Sequence, residues 1–471
     1  MKKIVFLAIN AKYVHSSLSV WSLAATVKKR HSARYDVSVI EATISQNITD
    51  IACNVSALKP DIVGISTYIW NAKILPELLG LLREQLPGVL IVLGGPEAVY
   101  NKKYWLDNGA DYVLNGQCSY KIDPYTDDFF AAHGDKMAYI ETSRGCPFNC
   151  AFCLSAGSDV EFFPLDMVKE RILKLSQSKT KTIKFVDRTF NCNPKRAYEL
   201  FEYVIGLDTH CKFHFEVAAD LFDERTLDLL STAPIGRIQF EIGLQSFFEP
   251  ALEASSRKTD LTKAEENIRA LLKAQNIHIH VDLIAGLPYE TLGEFEKSFE
   301  RAYLLSAHTL QLGFLKLLNG STLRDKAHEF GIKYDKDPPY EIQSSTWLST
   351  DDLKILKDAE NALQRTYNKS RFLETIKYVL VSSTLTPFDF YHSLGSAYPN
   401  HGTQLEDYVY QVFDFCKSQS GVDIEILCDK LHYDWLSMVK SKNMPSFLKS
   451  RGKGNIGERN PVTGLYKIII E

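Results

Sequence analysis

Short apolar runs alternate with helical patterns from the N-terminus to about residue 120. Between two of these runs, four leucines recur at the spacing of one helix face, namely Leu75, Leu78, Leu79 and Leu82. This alternation predicts an α/β fold with a doubly wound parallel sheet, whose ligands bind beyond the carboxyl ends of the strands. The predicted strands are Ile4–Ile9, Val37–Ile40, Ile62–Ser66, Leu90–Leu93 and Tyr112–Leu114.

A second strand–helix series with longer periods runs from about residue 137 to 330. Parallel strands joined by helical crossovers predict a partial or complete (β/α) barrel of the TIM type. In such barrels the chemistry gathers at the carboxyl ends of the strands. The predicted strands are Ala138–Thr142, Thr182–Val186, Phe213–Val217, Ile238–Ile242, Ile277–Leu283 and Leu310–Phe314.

The pattern after Pro338-Pro339 is mostly helical, as in Asp352–Leu363 and Glu406–Cys416. The last stretch is basic, which would suit an RNA-facing tail, but we interpret it as a solvated, partly mobile terminus. Its cations are Lys440, Lys442, Lys449, Arg451, Lys453 and Arg459. The sequence therefore predicts three regions: a doubly wound sheet in residues 1–125, a barrel in 137–335 and a helical region in 340–471.

Composition and charge narrow the class of protein. The 471 residues are 45% hydrophobic and 24% charged, which is ordinary for globular protein and argues against disordered or coiled-coil architectures. A net charge of -4 gives no general attraction to nucleic acid or anionic lipid, so neither is expected as a partner. The apolar run after Lys2 and Lys3 is cut short by Asn10 and Lys12, which favours a buried strand over an export signal. No window approaches a transmembrane length, and we expect a cytoplasmic protein.

Three cysteines with the spacing C-x3-C-x2-C follow the first strand of the second series, at Cys146, Cys150 and Cys153. Three thiolates on one tight loop can bind three irons of a cubane cluster and leave the fourth iron open to another ligand. A structural zinc site would need a fourth ligand, and Cys192 and Cys211 lie downstream without a paired spacing. The triplet is the strongest chemical signal in the chain.

Polar and apolar residues alternate along four of the predicted barrel strands. Burying polar groups is costly unless they find partners, so one polar face predicts a wet cavity or a bound polar ligand, with an internal hydrogen-bond network as the alternative. The histidines could instead bind a second metal or transfer protons near neutral pH. The polar positions are His214, Glu216, Gln239, Glu241, His278, His280, Asp282 and Gln311.

The cysteine spacing, with Phe152 as the aromatic residue before the third cysteine, resembles the radical S-adenosylmethionine superfamily. The resemblance implies a [4Fe–4S] cluster on Cys146, Cys150 and Cys153, and S-adenosylmethionine bound at the open iron and near Phe152. Reduction of the cluster would cleave S-adenosylmethionine and yield a 5′-deoxyadenosyl radical that takes hydrogen from a substrate. A small electron donor such as flavodoxin or ferredoxin is the partner that this chemistry implies.

Two further stretches resemble the branch that contains the oxygen-independent coproporphyrinogen oxidases: residues 240–246 (FEIGLQS) and 281–288 (VDLIAGLP). By that resemblance Gln245 and Asp282 contact the nucleoside of S-adenosylmethionine. Glu216 and Arg257 hold its ribose or methionine end. Asp187 stands where the family usually has a glycine-rich motif for the methionine amino group, and it would take that role.

The N-terminal region and the Cys-Pro-Phe-Asn-Cys context resemble cobalamin-dependent members of the superfamily. Residues 94–97 (GGPE) match their corrin-facing loop, and residues 115–118 (NGQC) are a weak version of a second loop. No Asp-x-His-x-x-Gly signature surrounds His15, so a bound corrin would have no histidine below cobalt. The alternative is that corrin binding has been lost, because the connector before the triplet is short. The resemblance places the corrin at Asn10, Ser66, Gly94, Gly95 and Gly116.

The leading hypothesis is a cobalamin-dependent methyltransferase that acts on an unactivated carbon of an unknown substrate. The runner-up is a radical enzyme that cyclises or rearranges its substrate without methylation, with or without cobalamin. RNA methylthiotransferases carry three further cysteines upstream, whereas only Cys53 and Cys118 precede this triplet. A cofactor-sensing binding protein is the hypothesis from another class, and the complete set of S-adenosylmethionine residues argues against it.

Overall fold

Two successive parallel sheets form the frame of the structure, a computed structural model that describes residues 1–439, 444–451 and 455–469. The first sheet has the strand order β2-β1-β3-β4-β5. The chain therefore adds β2 on one side of β1 and the later strands on the other side, which places the topological switch point between β1 and β3. Its strands are β1 (Lys2–Asn10), β2 (Tyr35–Thr43), β3 (Ile62–Ser66), β4 (Leu90–Gly94) and β5 (Tyr112–Leu114). The accompanying helices are α1 (Leu18–His31), α2 (Ile48–Ala57), α3 (Leu75–Gln85), α4 (Pro96–Tyr100), α5 (Lys102–Asp107) and α6 (Asp127–His133).

Both faces of the first sheet are covered, which explains why its strands are continuous apolar runs. In β1 the side chains of Val5 and Leu7 enter a core shared with α2 and α3, where Leu78 and Leu79 are completely buried. Ile4 and Phe6 point to the opposite face and join a second core, which continues into the barrel. The predicted doubly wound sheet is confirmed.

The second sheet is a partial barrel of six parallel strands with the order β13-β12-β11-β10-β9-β6. Its strands are β6 (Ala138–Ile140), β9 (Thr182–Phe185), β10 (Lys212–Val217), β11 (Ile238–Gln245), β12 (His278–Ala285) and β13 (Thr309–Phe314). A separate antiparallel ribbon is formed by β7 (Ser143–Cys146) and β8 (Ser158–Phe162). The helices are α7 (Leu165–Ser176), α8 (Pro194–Gly206), α9 (Glu224–Ser231), α10 (Glu249–Ala254), α11 (Leu261–Lys273), α12 (Leu292–Leu304) and α13 (Thr322–Asp325). The predicted partial barrel is therefore confirmed.

The remaining region is mainly helical, as predicted. Its helices are α14 (Thr350–Arg365), α15 (Leu373–Ser382), α16 (Pro387–Ala397), α17 (Leu405–Lys417) and α18 (Ile424–Met438). It also contains two short antiparallel ribbons, formed by β14 (Lys333–Tyr334) with β15 (Ile342–Ser344) and by β16 (Asn455–Arg459) with β17 (Tyr466–Ile469). Within the described parts of the chain, no helix has the length and apolar character needed to cross a bilayer.

Two cations of the basic C-terminal stretch, Lys449 and Arg459, are exposed, in line with the predicted solvated terminus. Arg451 instead pairs with two acidic residues of α18, Glu425 and Asp429. The turn between β16 and β17 reaches the barrel, where the Val462 carbonyl accepts a hydrogen bond from His278 Nδ1 at 2.9 Å. Part of this stretch therefore packs against the barrel. Lys440, Lys442 and Lys453 lie outside the described residues.

Loops at the carboxyl edge of the first sheet contact the two outer strands of the barrel sheet. After β1, His15 forms a parallel bridge with Met137, just before β6. After β4, Glu97 contacts Asn319, which follows β13. These contacts lie near the two ends of the open barrel sheet, so the first sheet covers the barrel on its open side.

Candidate functional site

The ribbon β7-β8 holds the three-cysteine loop. Cys146 ends β7, and Cys150 and Cys153 lie in the connection to β8. Gly145 has a φ of +93°, and a Cβ at this position would overlap the Asp159 carbonyl of the opposite strand. Only glycine fits such a close approach of two backbones. The loop is thereby fixed with Cys146 and Cys150 buried and Cys153 half-buried.

The donor set of this loop fits an iron–sulfur cluster. Thiolates are the ligands that such clusters take, and this loop supplies three cysteines without disulfide partners. Among the described residues, no three His, Cys, Asp or Glu side chains converge closely enough for a single metal ion. The ligands of an iron–sulfur cluster can lie farther apart than those of a single metal ion, because each thiolate binds only one of the irons.

The carboxylate of Asp187 binds the backbone and hydroxyl groups next to β7, and not the site predicted for the amino group of S-adenosylmethionine. Its side chain is 2% exposed and accepts hydrogen bonds from Thr142 N at 3.0 Å, Thr142 Oγ1 at 2.7 Å and Ser143 Oγ at 2.5 Å. Burial raises the pKa of Asp187 to about 6, against the effect of these bonds. A carboxylate used in this way does not fit a direct contact to S-adenosylmethionine. It anchors β7, three residues before Cys146.

A cavity of about 170 Å³ opens beside the cysteine loop at the carboxyl end of the barrel strands. Four residues predicted to contact S-adenosylmethionine line it together: Glu216, Gln245, Arg257 and Asp282. The other residues of its wall are Phe148, Arg188, Thr189, Val217, Ala218, Glu241, Gly243, Lys258 and Thr259. Phe152 packs instead against the hydrophobic core.

Two side chains in the cavity wall have buried polar atoms without a partner. Gln245 has a φ of +73° at an irregularity in β11, and its Oε1 accepts no hydrogen bond. Arg257 donates from Nη2 to the Gly243 carbonyl and places Nη1 3.5 Å from Cys150 Sγ, while its Nε has no partner. Unpartnered buried polar atoms are rare in folded proteins, so they indicate where a polar ligand binds. The cavity therefore fits S-adenosylmethionine beside the cluster.

Deeper in the barrel the polar residues satisfy each other. Lys184 Nζ lies 3.0 Å from Glu241 Oε2 and 3.3 Å from Glu216 Oε1, and His214 Nε2 lies 2.9 Å from Glu241 Oε2. Although burial opposes it, the hydrogen bond from His214 and the charge of Lys184 lower the pKa of Glu241 to about 2. Burial raises the pKa of Glu216. Lys184 was not identified from the sequence, although its place between Ile183 and Phe185 follows the strand alternation.

The two histidines of β12 have separate partners. His280 Nε2 lies 2.7 Å from Asp282 Oδ1, and this carboxylate raises the pKa of His280 against the effect of burial. His278 binds the Val462 carbonyl and Thr309 Oγ1, and burial lowers its pKa to about 4. These contacts make both histidines members of hydrogen-bond networks, which is the more common role for such a pair.

The five residues predicted to contact a corrin come together at the carboxyl edge of the first sheet. Asn10, Ser66 and Gly94 end β1, β3 and β4, Gly95 follows Gly94, and Gly116 follows β5. The two polar residues of this set, Asn10 and Ser66, are both buried. Asn10 is buried and its Nδ2 donates to the His15 carbonyl at 3.1 Å. It therefore shapes the loop that leads to His15.

This edge fits a large flat ligand. A Cβ on Gly94 or Gly116 would meet no atom within 4 Å, whereas a Cβ on Gly95 would lie 2.6 Å from the Thr67 carbonyl oxygen. Tyr68 and Trp70 stack with their ring centroids 4.3 Å apart, and Trp70 is 43% exposed. An open glycine surface beside an exposed aromatic pair suits an extended ring system.

Two contacts that tie this edge to the barrel were missed by sequence reasoning. The first is between His15 Nδ1 and Tyr139 Oη, 2.6 Å apart. In the second, Glu97 Oε1 accepts from Tyr340 Oη at 2.5 Å and from Asn319 Nδ2 at 3.1 Å. No local signal could have found either contact, because each joins residues more than a hundred positions apart.

Three families match consecutive parts of the chain. Residues 4–119 match the B12 binding domain, residues 140–302 match the radical SAM superfamily, and residues 328–460 match a family described as protein of unknown function (DUF4080). The first two matches cover the two parallel sheets. The third covers most of the helical region and the ribbon β14-β15.

Several characterised or named proteins are similar to the chain. An uncharacterized methyltransferase from Pyrococcus horikoshii is 23% identical in an alignment of 371 residues that covers 65% of this chain and 77% of that protein. The cobalamin-dependent radical SAM methyltransferase TokK from Streptomyces tokunonensis is 22% identical in an alignment of 343 residues that covers 59% of this chain and 50% of TokK. An anaerobic magnesium-protoporphyrin IX monomethyl ester cyclase from Cereibacter sphaeroides is 21% identical in an alignment of 308 residues that covers 52% of this chain and 50% of the cyclase. The matches thus span about half the length of the last two proteins.

Solved structures show the same fold. The cobalamin-dependent radical enzyme OxsB, with aqua-cobalamin and S-adenosylmethionine bound, matches with a TM-score of 0.60 at 12% identity, over 92% of this chain and 78% of that one. This likeness shows the fold alone, and the domain matches add the cofactors that the two sheets bind. The chain thus combines a B12 binding domain with a radical SAM domain, and the cofactors that these two domains imply are a [4Fe–4S] cluster, S-adenosylmethionine and cobalamin.

Proposed function

We propose that this enzyme methylates an unactivated carbon of its substrate. The observation that carries the proposal is the contact between the corrin-facing loop and the barrel, with Glu97 and Asn319 3.1 Å apart. The contact holds the edge expected to bind cobalamin against the segment that follows β13, the last strand of the barrel sheet. When bound, the cluster supplies the electron that cleaves S-adenosylmethionine, and the corrin carries the methyl group.

In the proposal each group of side chains has a positioning task. Cys146, Cys150 and Cys153 hold the cluster, and Asp187 steadies the strand that precedes them. The four residues of the cavity wall orient S-adenosylmethionine so that its reactive bond lies next to the open iron. The protein's contribution is to hold both cofactors against one substrate carbon and to exclude water. Reduction by a flavodoxin or ferredoxin in the cytoplasm belongs to the same proposal.

The two S-adenosylmethionine products distinguish methylation from other radical chemistry. The cluster-replete, cobalamin-loaded enzyme is incubated anaerobically with reductant, deuteriomethyl-labelled S-adenosylmethionine and a small-molecule cell extract. Methylation through a radical predicts 5′-deoxyadenosine, S-adenosylhomocysteine and an extract component that has gained the labelled methyl group. Cys150→Ala is the matched control and should form no 5′-deoxyadenosine.

The second candidate is a radical cyclisation or rearrangement, which the similarity to the Cereibacter sphaeroides cyclase favours. It predicts 5′-deoxyadenosine without S-adenosylhomocysteine and without label in any product. That result would overturn the methyltransferase proposal and leave the second candidate. A cluster-replete enzyme that forms no 5′-deoxyadenosine would overturn both.

A further inference from the structure

The region of unknown function makes one buried contact with the corrin-facing loop. Glu97 lies in α4, directly after Gly94-Gly95-Pro96, and is 5% exposed. Its Oε1 accepts hydrogen bonds from Tyr340 Oη and Asn319 Nδ2. Tyr340, itself 4% exposed, belongs to the segment 328–460 and connects β14 to β15. A carboxylate from the first sheet thus meets a phenol from the C-terminal region inside the protein.

The position of Tyr340 is fixed from several directions. Its carbonyl accepts a hydrogen bond from Leu317 N at 2.9 Å, and the Arg324 guanidinium lies 4.7 Å from the centre of its ring. Its backbone has a φ of +58°, a conformation that is costly for a bulky residue and persists only where the surroundings demand it. The phenol is therefore held in place to meet Glu97, and the contact is not an incidental one between flexible side chains.

A second contact holds the same loop. Gly320, with a φ of +88°, lies so close to the Tyr100 ring at the end of α4 that a Cβ would overlap it. The segment after β13 therefore lies flat against α4. Burial raises the pKa of Glu97, and its hydrogen bonds to Tyr340 and Asn319 and the charge of Arg324 oppose this rise. Without its partners, this carboxylate would be left buried and unsatisfied, which is strongly unfavourable.

We propose that Glu97, Asn319 and Tyr340 form an interdomain clamp through which the C-terminal region holds the Gly94-Gly95 loop in the position that binds cobalamin. The clamp acts through the loop, so Glu97 and Tyr340 are positioning residues. The region 328–460 thereby gains a role: it completes the corrin site at the joint between the first sheet and the barrel. This inference rests on cobalamin binding at that edge and does not depend on whether the enzyme methylates.

The test measures the dissociation constant of hydroxocobalamin for the cluster-replete full chain, by equilibrium dialysis with the corrin absorbance as readout. Tyr340→Phe removes one hydroxyl, and Glu97→Ala removes the acceptor. We expect each to weaken binding by about tenfold, the effect of losing one buried charge-assisted hydrogen bond. Glu97→Gln keeps an acceptor oxygen and should bind almost as the unchanged protein does. Iron content should stay the same in all three variants.

A matched control separates the clamp from a general loss of stability. Lys136→Met breaks another buried pair that holds the first sheet, this time to the segment leading into the barrel, because Lys136 Nζ lies 3.1 Å from Glu41 Oε2. Glu41 lies within β2 and Lys136 shortly before β6, away from the Gly94-Gly95 loop. Its loss should lower the unfolding temperature and leave the dissociation constant unchanged.

Each outcome decides the proposal. Unchanged affinity in Tyr340→Phe overturns the clamp, and so does an equal loss in Lys136→Met, which would indicate a general effect of interdomain packing. If Glu97→Ala does not fold, Tyr340→Phe and Glu97→Gln carry the test. A parent protein that takes up no corrin overturns the clamp together with the corrin site, whereas normal 5′-deoxyadenosine formation without methylation leaves the clamp intact and removes only the methyltransferase proposal.

Discussion

Gly95→Ala is the substitution whose effect the structure defines most sharply. Gly95 has a φ of +104° and a ψ of 167°, a region that is essentially reserved for glycine. The new methyl group would lie 2.6 Å from the Thr67 carbonyl oxygen and 3.2 Å from Thr67 N. Thr67 cannot yield easily, because its N–H donates to the Gly94 carbonyl at 2.7 Å. Strain of about 1–3 kcal/mol and overpacking of about 1–3 kcal/mol together predict that the free energy of unfolding falls by about 2–6 kcal/mol.

Gly94→Ala is the matched control, because its methyl group would meet no atom within 4 Å. Calorimetry of the apo protein should show that Gly95→Ala lowers the unfolding temperature of the first sheet by on the order of 10 °C. Gly94→Ala should leave this temperature unchanged. Cobalamin binding should weaken in both, in Gly94→Ala because the methyl group enters the space of the corrin. An unchanged unfolding temperature for Gly95→Ala would refute the reasoning about the loop conformation. Unchanged cobalamin affinity for Gly94→Ala would refute the placement of the corrin.

Three further predictions concern the barrel. Cys150→Ala should abolish the visible absorbance of the cluster and leave the far-ultraviolet circular dichroism unchanged; iron at full stoichiometry would contradict the ligand assignment. Asp187→Ala leaves buried donors of Thr142 and Ser143 unpaired, so the free energy of unfolding measured in urea should fall by about 2–4 kcal/mol. Asp187→Asn should lower it by less. Burial raises the pKa of Glu290 from 4.5 to about 7, so its contribution to stability is present below pH 4.5 and is lost as the pH rises to about 7. Compared with Glu290→Gln, the protein should lose up to about 3 kcal/mol over that range, and parallel pH profiles would contradict this prediction.

The first sheet could be predicted because most of its strands are buried and stand out as apolar runs, and the barrel strands could be predicted because polar and apolar residues alternate along them. Ile62–Ser66 and Tyr112–Leu114 have the predicted bounds, and most other strands differ by one or two residues. The ribbon strand Ser158–Phe162 could not be predicted, since its residues are mostly exposed and its pairing with β7 depends on the cysteine loop. The C-terminal ribbon was missed for a related reason: its turn is stabilised by the distant His278.

The site could be predicted in its chemistry but not in its supports. The cysteine spacing and the motifs around Gln245 and Asp282 are local signals, and the structure brings Gln245 and Asp282 to one cavity. Asp187 shows the limit of such reasoning, because its sequence position alone does not reveal that Thr142 and Ser143 use both of its oxygens. Long-range partners decide whether a polar residue near a site faces the ligand or the protein.

The polar face of the barrel strands was predicted to hold either an internal hydrogen-bond network or a polar ligand. The structure supports the network in the deeper layer and the ligand at the carboxyl end. In the deeper layer Lys184 pairs with both Glu216 and Glu241, so partners within the protein offset much of the cost of burial. At the carboxyl end, Gln245 Oε1 and Arg257 Nε remain without partners. A ligand gains most where it satisfies such atoms, since their desolvation cost already falls on the folded protein. We therefore expect the polar ligand to bind at the carboxyl end, next to Cys150, with the charged layer below as the floor of its site.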